Sequence, residues 1–329
     1  MLTVDEAHCI SQWGQDFRPS YLRILDFIGS LPRRPIVSAF TATATREVKD
    51  DIAQTLRLRD PEIVITGFDR PNLYYRVETT RRKDAFVADY VRSHPGESGI
   101  IYCATRKNVD AVQEMLQGED ISAARYHAGM TNEERRQSQN DFIYDTAPVI
   151  VATNAFGMGI DKSNVRYVIH YNMPQSMENY YQEAGRAGRD GLPSQCILLF
   201  SPQDIVINRF LLDHKENDDL DDEAADLLRE RDNQRLQAMA NYCQTTGCLR
   251  NYILRYFGEE PAEPCGSCGN CDREFEEVDM TAQAKWMINC VAETRGRYGK
   301  GVVLNTLRGA NMARLRELGA MDYRSYGQL

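Results

Sequence analysis

The sequence predicts an α/β protein in which parallel strands alternate with helices. Three observations support this fold class. Short apolar runs rich in Ile and Val recur between residues 95 and 201, as expected for buried strands. The segments between them carry apolar residues at spacings of three and four, which is typical of amphipathic helices. The 329 residues are 42% hydrophobic and 26% charged, a composition typical of a soluble protein with two or three domains.

The predicted elements follow in chain order. Strands are predicted at residues 35–40, 62–66, 98–105, 123–128, 148–153, 165–172 and 195–201. Helices are predicted at residues 45–56, 106–116, 132–143, 177–187 and 249–257. The last of these helices lies within residues 206–258, which are predicted to be all-helical. The alternation predicts parallel βαβ units with right-handed crossovers. Because the strands are parallel, the loops after them should gather at the edge formed by their carboxyl ends. Functional residues are expected at that edge.

Composition and charge exclude several classes of protein. No apolar stretch approaches the roughly 18 residues that cross a bilayer, and the first residues lack the features of a signal peptide. We therefore expect no membrane partner and a cytoplasmic location. The net charge is −9, but residues 216–232 and 259–279 each carry −7, which leaves +5 on the remaining chain. A polyanion such as nucleic acid therefore stays open as a partner.

Nine cysteines in a chain without an export signal favour a metal site in a reducing compartment over a disulfide framework. Four of them follow the pattern Cys248-x16-Cys265-x2-Cys268-x2-Cys271. Four thiolates form a complete ligand set for a structural Zn²⁺ ion, which prefers tetrahedral coordination. Cys243 is an alternative first ligand because it lies close before Cys248.

An acidic pair near the start of the chain is a candidate catalytic site. Asp5-Glu6-Ala7-His8 follows a short apolar stretch. Adjacent acids at the end of a buried parallel strand suit a magnesium–nucleotide site, in which Asp5 holds the Mg²⁺ shell and Glu6 polarises the attacking water. For four residues alone, a solvated acidic pair is the alternative.

A second candidate is the run from Gln182 to Asp190, which contains Arg186 and Arg189, each preceded by Gly. Two guanidinium groups three residues apart suit the stabilisation of a transferring γ-phosphoryl group, as an arginine finger does. The alternative is a helix end at which basic residues complement the helix dipole.

The loop at residues 152–161 contains Gly157 and Gly159 directly after a predicted strand. Glycines there allow the backbone to approach a phosphate or a neighbouring domain closely. A dinucleotide fingerprint is excluded because Lys162 stands where its third glycine is required.

Together these segments resemble the RecQ family of superfamily-two DNA helicases. The resemblance extends over essentially the whole chain and rests on an ordered set of motifs. Residues 5–8 resemble motif II, 13–19 the aromatic-rich loop, 41–43 motif III, 99–103 the start of motif IV, 126–129 the next DNA-contacting motif, 155–161 motif V and 182–190 motif VI.

The resemblance implies RecA-like parallel-sheet lobes with ATP and Mg²⁺ bound between them. Asp5 and Glu6 would act from the first lobe, and Arg186 and Arg189 from the second. The other nucleotide-binding residues implied are Gln182, Gly157, Gly159 and Asp161. The implied DNA-binding residues are Trp13, Phe17, Arg18, His127 and Thr153, although Gln15 stands where the family often has His.

The resemblance also implies a domain order. Residues 1–70 would be the end of the first lobe, 71–205 the second lobe, 206–279 a helical zinc-binding subdomain with Cys248 as first ligand, and 280–329 a truncated winged-helix domain. No Gly-x-x-x-x-Gly-Lys-Ser/Thr phosphate loop occurs in the sequence. We therefore expect a fragment that begins at motif II and is inactive alone.

The predicted function of the parent protein is ATP-dependent 3′-to-5′ unwinding of DNA in repair and recombination. Expected partners are single-stranded and forked DNA, with a single-strand-binding protein as a further candidate, and the expected location is the nucleoid. The alternative is a zinc-containing module that binds single-stranded DNA without hydrolysing ATP.

Overall fold

The computed structural model describes residues 1–11, 14, 17–157, 161–214, 222–274 and 278–329. These residues divide into two compact units, Met1–Arg273 and Glu274–Leu329. The unit boundary lies close to the domain boundary predicted at residue 279. Among the described residues, no helix combines the length and the apolar character needed to cross a membrane.

The first unit contains two parallel sheets. Its strands are β1 (Leu2–Val4), β2 (Val37–Ala39), β3 (Leu73–Thr79), β4 (Ser98–Tyr102), β5 (Ala123–Tyr126), β6 (Val149–Ala152), β7 (Val165–His170) and β8 (Ser194–Phe200). Strands β1 and β2 pair with each other, and the other six form one sheet in the order β3-β8-β7-β4-β6-β5. All observed pairings are parallel, which confirms the predicted fold class.

Helices connect the strands and complete both units. In the first unit they are α1 (Arg23–Ser30), α2 (Arg46–Thr55), α3 (Lys83–Ser93), α4 (Arg106–Gly118), α5 (Asn132–Ile143), α6 (Met177–Ala184), α7 (Pro202–Asp213), α8 (Asp222–Gln244) and α9 (Leu249–Tyr256). The second unit contains α10 (Thr281–Glu293), α11 (Lys300–Leu307) and α12 (Ala313–Glu317). Side chains cap several N-termini: the Thr131 hydroxyl, for example, accepts from the Glu134 N–H, and Glu134 returns a bond to Thr131.

The six-stranded sheet is buried on both faces, as parallel sheets require. Ile100 and Ile150 point into one apolar cluster, which continues under α6, α8 and α9. Ile101 and Val151 point into a second cluster on the opposite face, against α3 and α4. This alternation explains why the central strands appear in the sequence as continuous apolar runs.

Two strand assignments differ from the sequence prediction. The strand predicted at residues 62–66 is wrong: Ile63, Val64 and Ile65 are 60%, 76% and 57% exposed and pair with no strand among the described residues. A strand needs a neighbour for its backbone groups, and β propensity alone does not supply one. In contrast, β3 was not predicted, because its residues alternate between buried and half-buried positions and carry Arg76 and Glu78.

The second unit is a small helical body with its own core. Cys290, Leu307, Leu315 and Ala320 are buried in it. The Glu293 carboxylate accepts hydrogen bonds from the N–H groups of Arg324 and Ser325 at 2.9 and 3.2 Å, which ties the C-terminal turn to α10.

Candidate nucleotide cleft and zinc site

The acidic pair follows β1, as expected. Val4 is buried, Asp5 is exposed, and the Glu6 backbone takes a left-handed conformation with φ 46°. The Asp5 carboxylate accepts a hydrogen bond from the Glu6 N–H at 2.9 Å. The Glu6 carboxylate lies 3.2 Å from Nδ1 of the buried His8 ring, which is also 3.0 Å from the Thr41 hydroxyl.

A cleft of about 1520 Å³ brings the N-terminal segment against the loops of the six-stranded sheet. Six of the residues predicted for the site line it: Glu6, Gly157, Asp161, Gln182, Arg186 and Arg189. Asp5 instead lines a smaller cavity of about 440 Å³ beside α1. The cleft therefore combines the Glu6 carboxylate of the N-terminal segment with the guanidinium groups of Arg186 and Arg189.

Gln182 connects the two sides of the cleft. Its side-chain amide donates to the hydroxyl of Thr43 at 3.1 Å, across 139 residues of sequence. Thr43 is only 1% exposed. This contact joins the segment predicted as motif III to the segment predicted as motif VI.

Arg186 is held by the loop that follows β6. One of its terminal nitrogens donates to the carbonyl of Gly157 at 2.6 Å. A Cβ atom at Gly157 would lie 2.2 Å from the other terminal nitrogen, so the guanidinium occupies the space that the glycine leaves. The Arg186 Nε atom is buried and makes no hydrogen bond with the described residues.

Arg189 is more open to solvent. Its side chain is 38% exposed and lies 3.8 Å from the Asp161 carboxylate, which is itself 94% exposed. Burial, together with the nearby Arg186 charge, lowers the pKa of Arg189. Burial and repulsion from Arg186 both disfavour the charged form of Arg189. An anionic ligand between the two arginines would offset both effects and stabilise the charged guanidinium.

The residues predicted to bind DNA have different environments. Trp13 lies outside the described residues, as does the nucleotide-site glycine Gly159. Phe17 is half-buried, and Arg18 lines the cleft. His127 and Thr153 lie at the ends of β5 and β6, where both side chains are largely buried.

The His127 ring is fixed by two neighbours. Its Nε2 lies 3.1 Å from the Asp110 carboxylate, and its Nδ1 accepts from the Gly129 N–H at 3.1 Å. The ring therefore shapes the turn after β5. A direct role for His127 in binding DNA stays a prediction.

The four predicted zinc ligands form one cluster. The sulfur atoms of Cys248, Cys265, Cys268 and Cys271 all lie within 4.8 Å of one another. The sulfur of Cys271 is 3.9 Å from that of Cys265 and 3.5 Å from that of Cys268. A tetrahedral Zn²⁺ with Zn–S bonds of about 2.3 Å places its sulfurs about 3.8 Å apart, so the cluster fits this ion. Cys243, the alternative first ligand, is buried and outside the cluster.

Burial and hydrogen bonding act in opposite directions on the thiols of the cluster. Cys248 caps the N-terminus of α9, where its sulfur accepts from the N–H groups of Asn251 and Cys265 at 3.4 and 3.3 Å. Burial raises the pKa of Cys265, but this is outweighed by hydrogen bonds from the Ser267 N–H and from Cys248, Arg250 and Cys268, so the net pKa is lowered to about 7. Burial raises the pKa of Cys248 and also that of Cys271, the latter to about 12. A bound Zn²⁺ ion would hold these two sulfurs as thiolates, since metal binding displaces the thiol protons.

The zinc loop packs against the edge strand β3. The Gly269 N–H donates to the Tyr75 carbonyl at 2.8 Å, and the Tyr74 hydroxyl donates to the Asp272 carboxylate at 2.6 Å. The metal site is therefore anchored directly to the six-stranded sheet.

Three family models match consecutive parts of the chain. They describe a helicase conserved C-terminal domain at residues 82–191, a RecQ zinc-binding region at 202–272 and an RQC domain at 274–329. The chain is also 45% identical to the ATP-dependent DNA helicase RecQ of Bacillus subtilis over 329 residues. The chain belongs to the RecQ family.

The RecQ relatives are longer than this chain. The Bacillus match covers 100% of the chain and 54% of the relative. The ATP-dependent DNA helicase RecQ of Pasteurella multocida is 38% identical, over 96% of the chain and 49% of the relative. The ATP-dependent helicase SGS1 of Saccharomyces cerevisiae is 40% identical, over 88% of the chain and 20% of the relative. The chain thus spans about half the length of the two bacterial RecQ proteins.

A solved structure with low sequence identity has the same fold. S. cerevisiae Dbp5 bound to RNA and ADP BeF3 is 19% identical and superposes with a TM-score of 0.53 over 70% of this chain and 62% of Dbp5. With the family assignment, this likeness identifies the six-stranded sheet as a RecA-like lobe.

Sequence reasoning missed the polar residues of the segment that leads into β3. Arg70 and Asn72 donate to backbone carbonyls beside Arg186 and Arg189, and Arg250 of α9 donates to the backbone of the same segment. Contacts to backbone carbonyls have no residue spacing that would reveal them. The one available signal is the polar Asp69-Arg70-Pro71-Asn72 stretch itself.

Proposed function

We propose that the cleft residues Glu6, Arg186 and Arg189 belong to the motor of an ATP-dependent DNA helicase of RecQ type. This helicase moves 3′ to 5′ along single-stranded DNA in repair and recombination. The observation that carries the proposal is the cleft in which Glu6 faces the same space as Arg186 and Arg189. An acidic residue that orients water and arginines that neutralise charge, supplied by separate segments, are two of the parts that phosphoryl transfer to water requires.

Each residue of the cleft has a defined task in this proposal. Bound Mg²⁺–ATP supplies the phosphoanhydride that is cleaved. The Glu6 carboxylate accepts a hydrogen bond from the attacking water and orients it, while Arg186 and Arg189 neutralise the charge that develops on the phosphoryl oxygens. Arg186 leaves the Gly157 carbonyl to do so. Asp5 would hold the metal's water shell, which requires its carboxylate to turn towards the cleft.

Gln182 would connect hydrolysis to movement. Its bond to Thr43 is formed only when the two sides of the cleft are close together. Opening of the cleft after product release breaks this bond, so the contact can report the state of the nucleotide to the surfaces that hold DNA.

The proposed DNA path follows the loops after the strands of the RecA-like lobe. The Trp13 to Arg18 segment would add aromatic and basic groups to this path, because aromatic rings stack on unpaired bases and arginines meet phosphates. The names of the relatives support a DNA substrate. Forked DNA, a single-strand-binding protein as partner and a nucleoid location in the cytoplasm are parts of the same proposal.

ATP hydrolysis provides the test. The sequence contains no phosphate loop, so the 329-residue chain alone should show no DNA-stimulated hydrolysis and only weak, salt-sensitive binding of single-stranded DNA. The longest natural polypeptide that contains this chain should hydrolyse ATP when DNA is added. Its Glu6→Gln variant should lose hydrolysis but still bind ATP. Hydrolysis that survives Glu6→Gln would contradict the assignment of the cleft, and robust turnover by the 329-residue chain would contradict the expected inactivity.

A further inference from the structure

Arg70 makes an unusual set of contacts with the arginine loop, which we define as residues 185–192. Its guanidinium donates to the carbonyls of Gly185, Ala187 and Gly188 at 3.3, 3.2 and 3.1 Å. Two of these carbonyls flank Arg186, and the third directly precedes Arg189. They follow the end of α6, where carbonyl groups need partners from outside the helix.

The same segment holds the loop at a second point. The side-chain amide of Asn72 donates to the carbonyls of Gly188 and Leu192 at 2.8 and 2.9 Å. Gly188 has a φ of +53°, and a Cβ atom there would lie 2.4 Å from the Asn72 amide nitrogen. The arginine loop is therefore shaped closely against residues 70–72.

The zinc-binding helix α9 holds these residues from the other side. Arg250 is 5% exposed and lies two residues after the zinc ligand Cys248. Its guanidinium donates to the Asp69 carboxylate at 2.8 Å and to the carbonyls of Arg70 and Leu73 at 2.5 and 2.6 Å.

The contacts of α9 continue at its C-terminal end. The Phe257 ring stacks on Phe68 with centroids 4.4 Å apart and an interplanar angle of 10°. The Glu259 carboxylate accepts from the Phe68 N–H at 2.6 Å. We call residues 68–73 the linker. Helix α9 and the residues that follow it contact the linker along its whole length.

We propose that Arg70 is a positioning residue for Arg186 and Arg189, and that Arg250 makes its position depend on the zinc site. The inference rests on the proposed function, since it assigns a purpose to the placement of the two arginines. Displacement of a catalytic group by about 1 Å can reduce a rate a hundredfold. A planar guanidinium can serve three carbonyls at once, whereas a lysine ammonium offers no such rigid fork.

Hydrogen exchange on the zinc-loaded 329-residue chain tests the contacts independently of catalysis. Arg70→Lys should raise exchange of the amides at residues 185–192 about tenfold, because it removes hydrogen bonds that hold three carbonyls of this loop. Asn72→Ser is a second, milder variant with the same expected location of the effect. Arg250→Lys should also raise exchange in this loop while the chain keeps its zinc by metal analysis.

Arg34 offers a matched control. It is half-buried and donates to the carbonyls of Leu56 and Arg57 at 2.8 and 3.0 Å, away from the arginine loop. Arg34→Lys should leave exchange at 185–192 unchanged. Exchange that rises equally over the whole unit in Arg70→Lys, or rises in the loop for Arg34→Lys as well, would overturn the positioning role.

Kinetics distinguish this inference from the function beneath it. In the longest natural polypeptide that contains the chain, Arg70→Lys should lower kcat for ATP about tenfold with KM nearly unchanged, since ATP binding does not need the arginines to be aligned. A fall in ATP affinity with unchanged kcat would overturn the inference. If the unaltered polypeptide has no ATPase activity, the proposed function fails, while the exchange results still decide whether Arg70 and Arg250 position the loop.

Discussion

The candidate zinc site takes its four cysteines from residues 248–271, whereas the cleft takes its residues from two distant segments within the range 6–189. The zinc site is a local structure: a helix N-terminus and one short loop carry every ligand. The cleft depends on a contact across 139 residues and on loops held by the linker. Local spacing therefore determines the metal site, but distant packing determines the geometry of the cleft.

The largest effect should come from removing a zinc ligand. Cys268→Ser should abolish stoichiometric zinc binding and lower the free energy of unfolding by more than about 4 kcal/mol, because metal binding and folding of α9 are coupled. Metal analysis and denaturant unfolding measure both quantities. Cys243→Ala is the matched control and should keep the zinc. Stoichiometric zinc in Cys268→Ser, or loss of zinc from Cys243→Ala, would contradict the assignment of a zinc site whose ligands lie close together in the sequence.

A smaller effect on stability, but a clear one on rate, should follow Gly157→Ala. The new methyl group displaces the Arg186 guanidinium, whose nearest nitrogen would be 2.2 Å away. We expect a change in unfolding free energy within about 1 kcal/mol and a loss of about tenfold or more in kcat of the longest natural polypeptide. Gly118→Ala meets nothing within 4 Å and should change neither quantity. An unchanged kcat in Gly157→Ala would mean that the cleft tolerates movement of Arg186.

The smallest effect concerns acid stability near the cleft's supporting strands. The Lys162 ammonium at 2.7 Å and the Ser98 hydroxyl at 2.8 Å lower the pKa of Asp145. A carboxylate with a depressed pKa stabilises the fold above its ordinary pKa, and this contribution is lost as the pH falls through the folded-state value. Asp145→Asn should therefore lower stability at pH 7 by less than about 1 kcal/mol, since the side chain is 55% exposed.

The pH profile of denaturant midpoints checks this prediction. The difference between Asp145→Asn and the unaltered chain should shrink as the pH drops below about 4. Asp89, which is 77% exposed, provides a control in Asp89→Asn. A difference that stays constant from pH 7 to pH 3 would contradict an ionic origin.

Strands that are buried on both faces could be predicted from the sequence, whereas a partly exposed edge strand could not. The central strands β4, β6 and β7 have continuous apolar runs because they are covered on both faces, and they were found. Edge strand β3 was missed because its outward residues serve the zinc loop: the hydroxyl of Tyr74 contacts Asp272, and Glu78 contacts Arg273. Helix α6 ends at Ala184 rather than at the predicted 187, where Arg70 takes carbonyls that a longer helix would use.

The candidate site divides in the same way. The zinc ligands and the cleft residues Glu6, Arg186 and Arg189 were named from short motifs whose chemistry is visible in the residue types. The positioning contacts of Arg70 and Arg250 could not be named, since their partners are main-chain atoms brought close only by the fold.

The linker contacts also set an order of events during synthesis. Arg70 must wait for residues 115 to 118 positions later, and the backbone around it waits for Arg250, 180 positions later. Ribosomes add about 5–20 residues per second, and contacts this distant form late in folding. A nascent chain can therefore complete its RecA-like sheet before Arg250 of α9 forms its contacts with the linker. Zinc capture by the emerging α9 region then becomes the step that allows Arg250 to fix the backbone that carries Arg70.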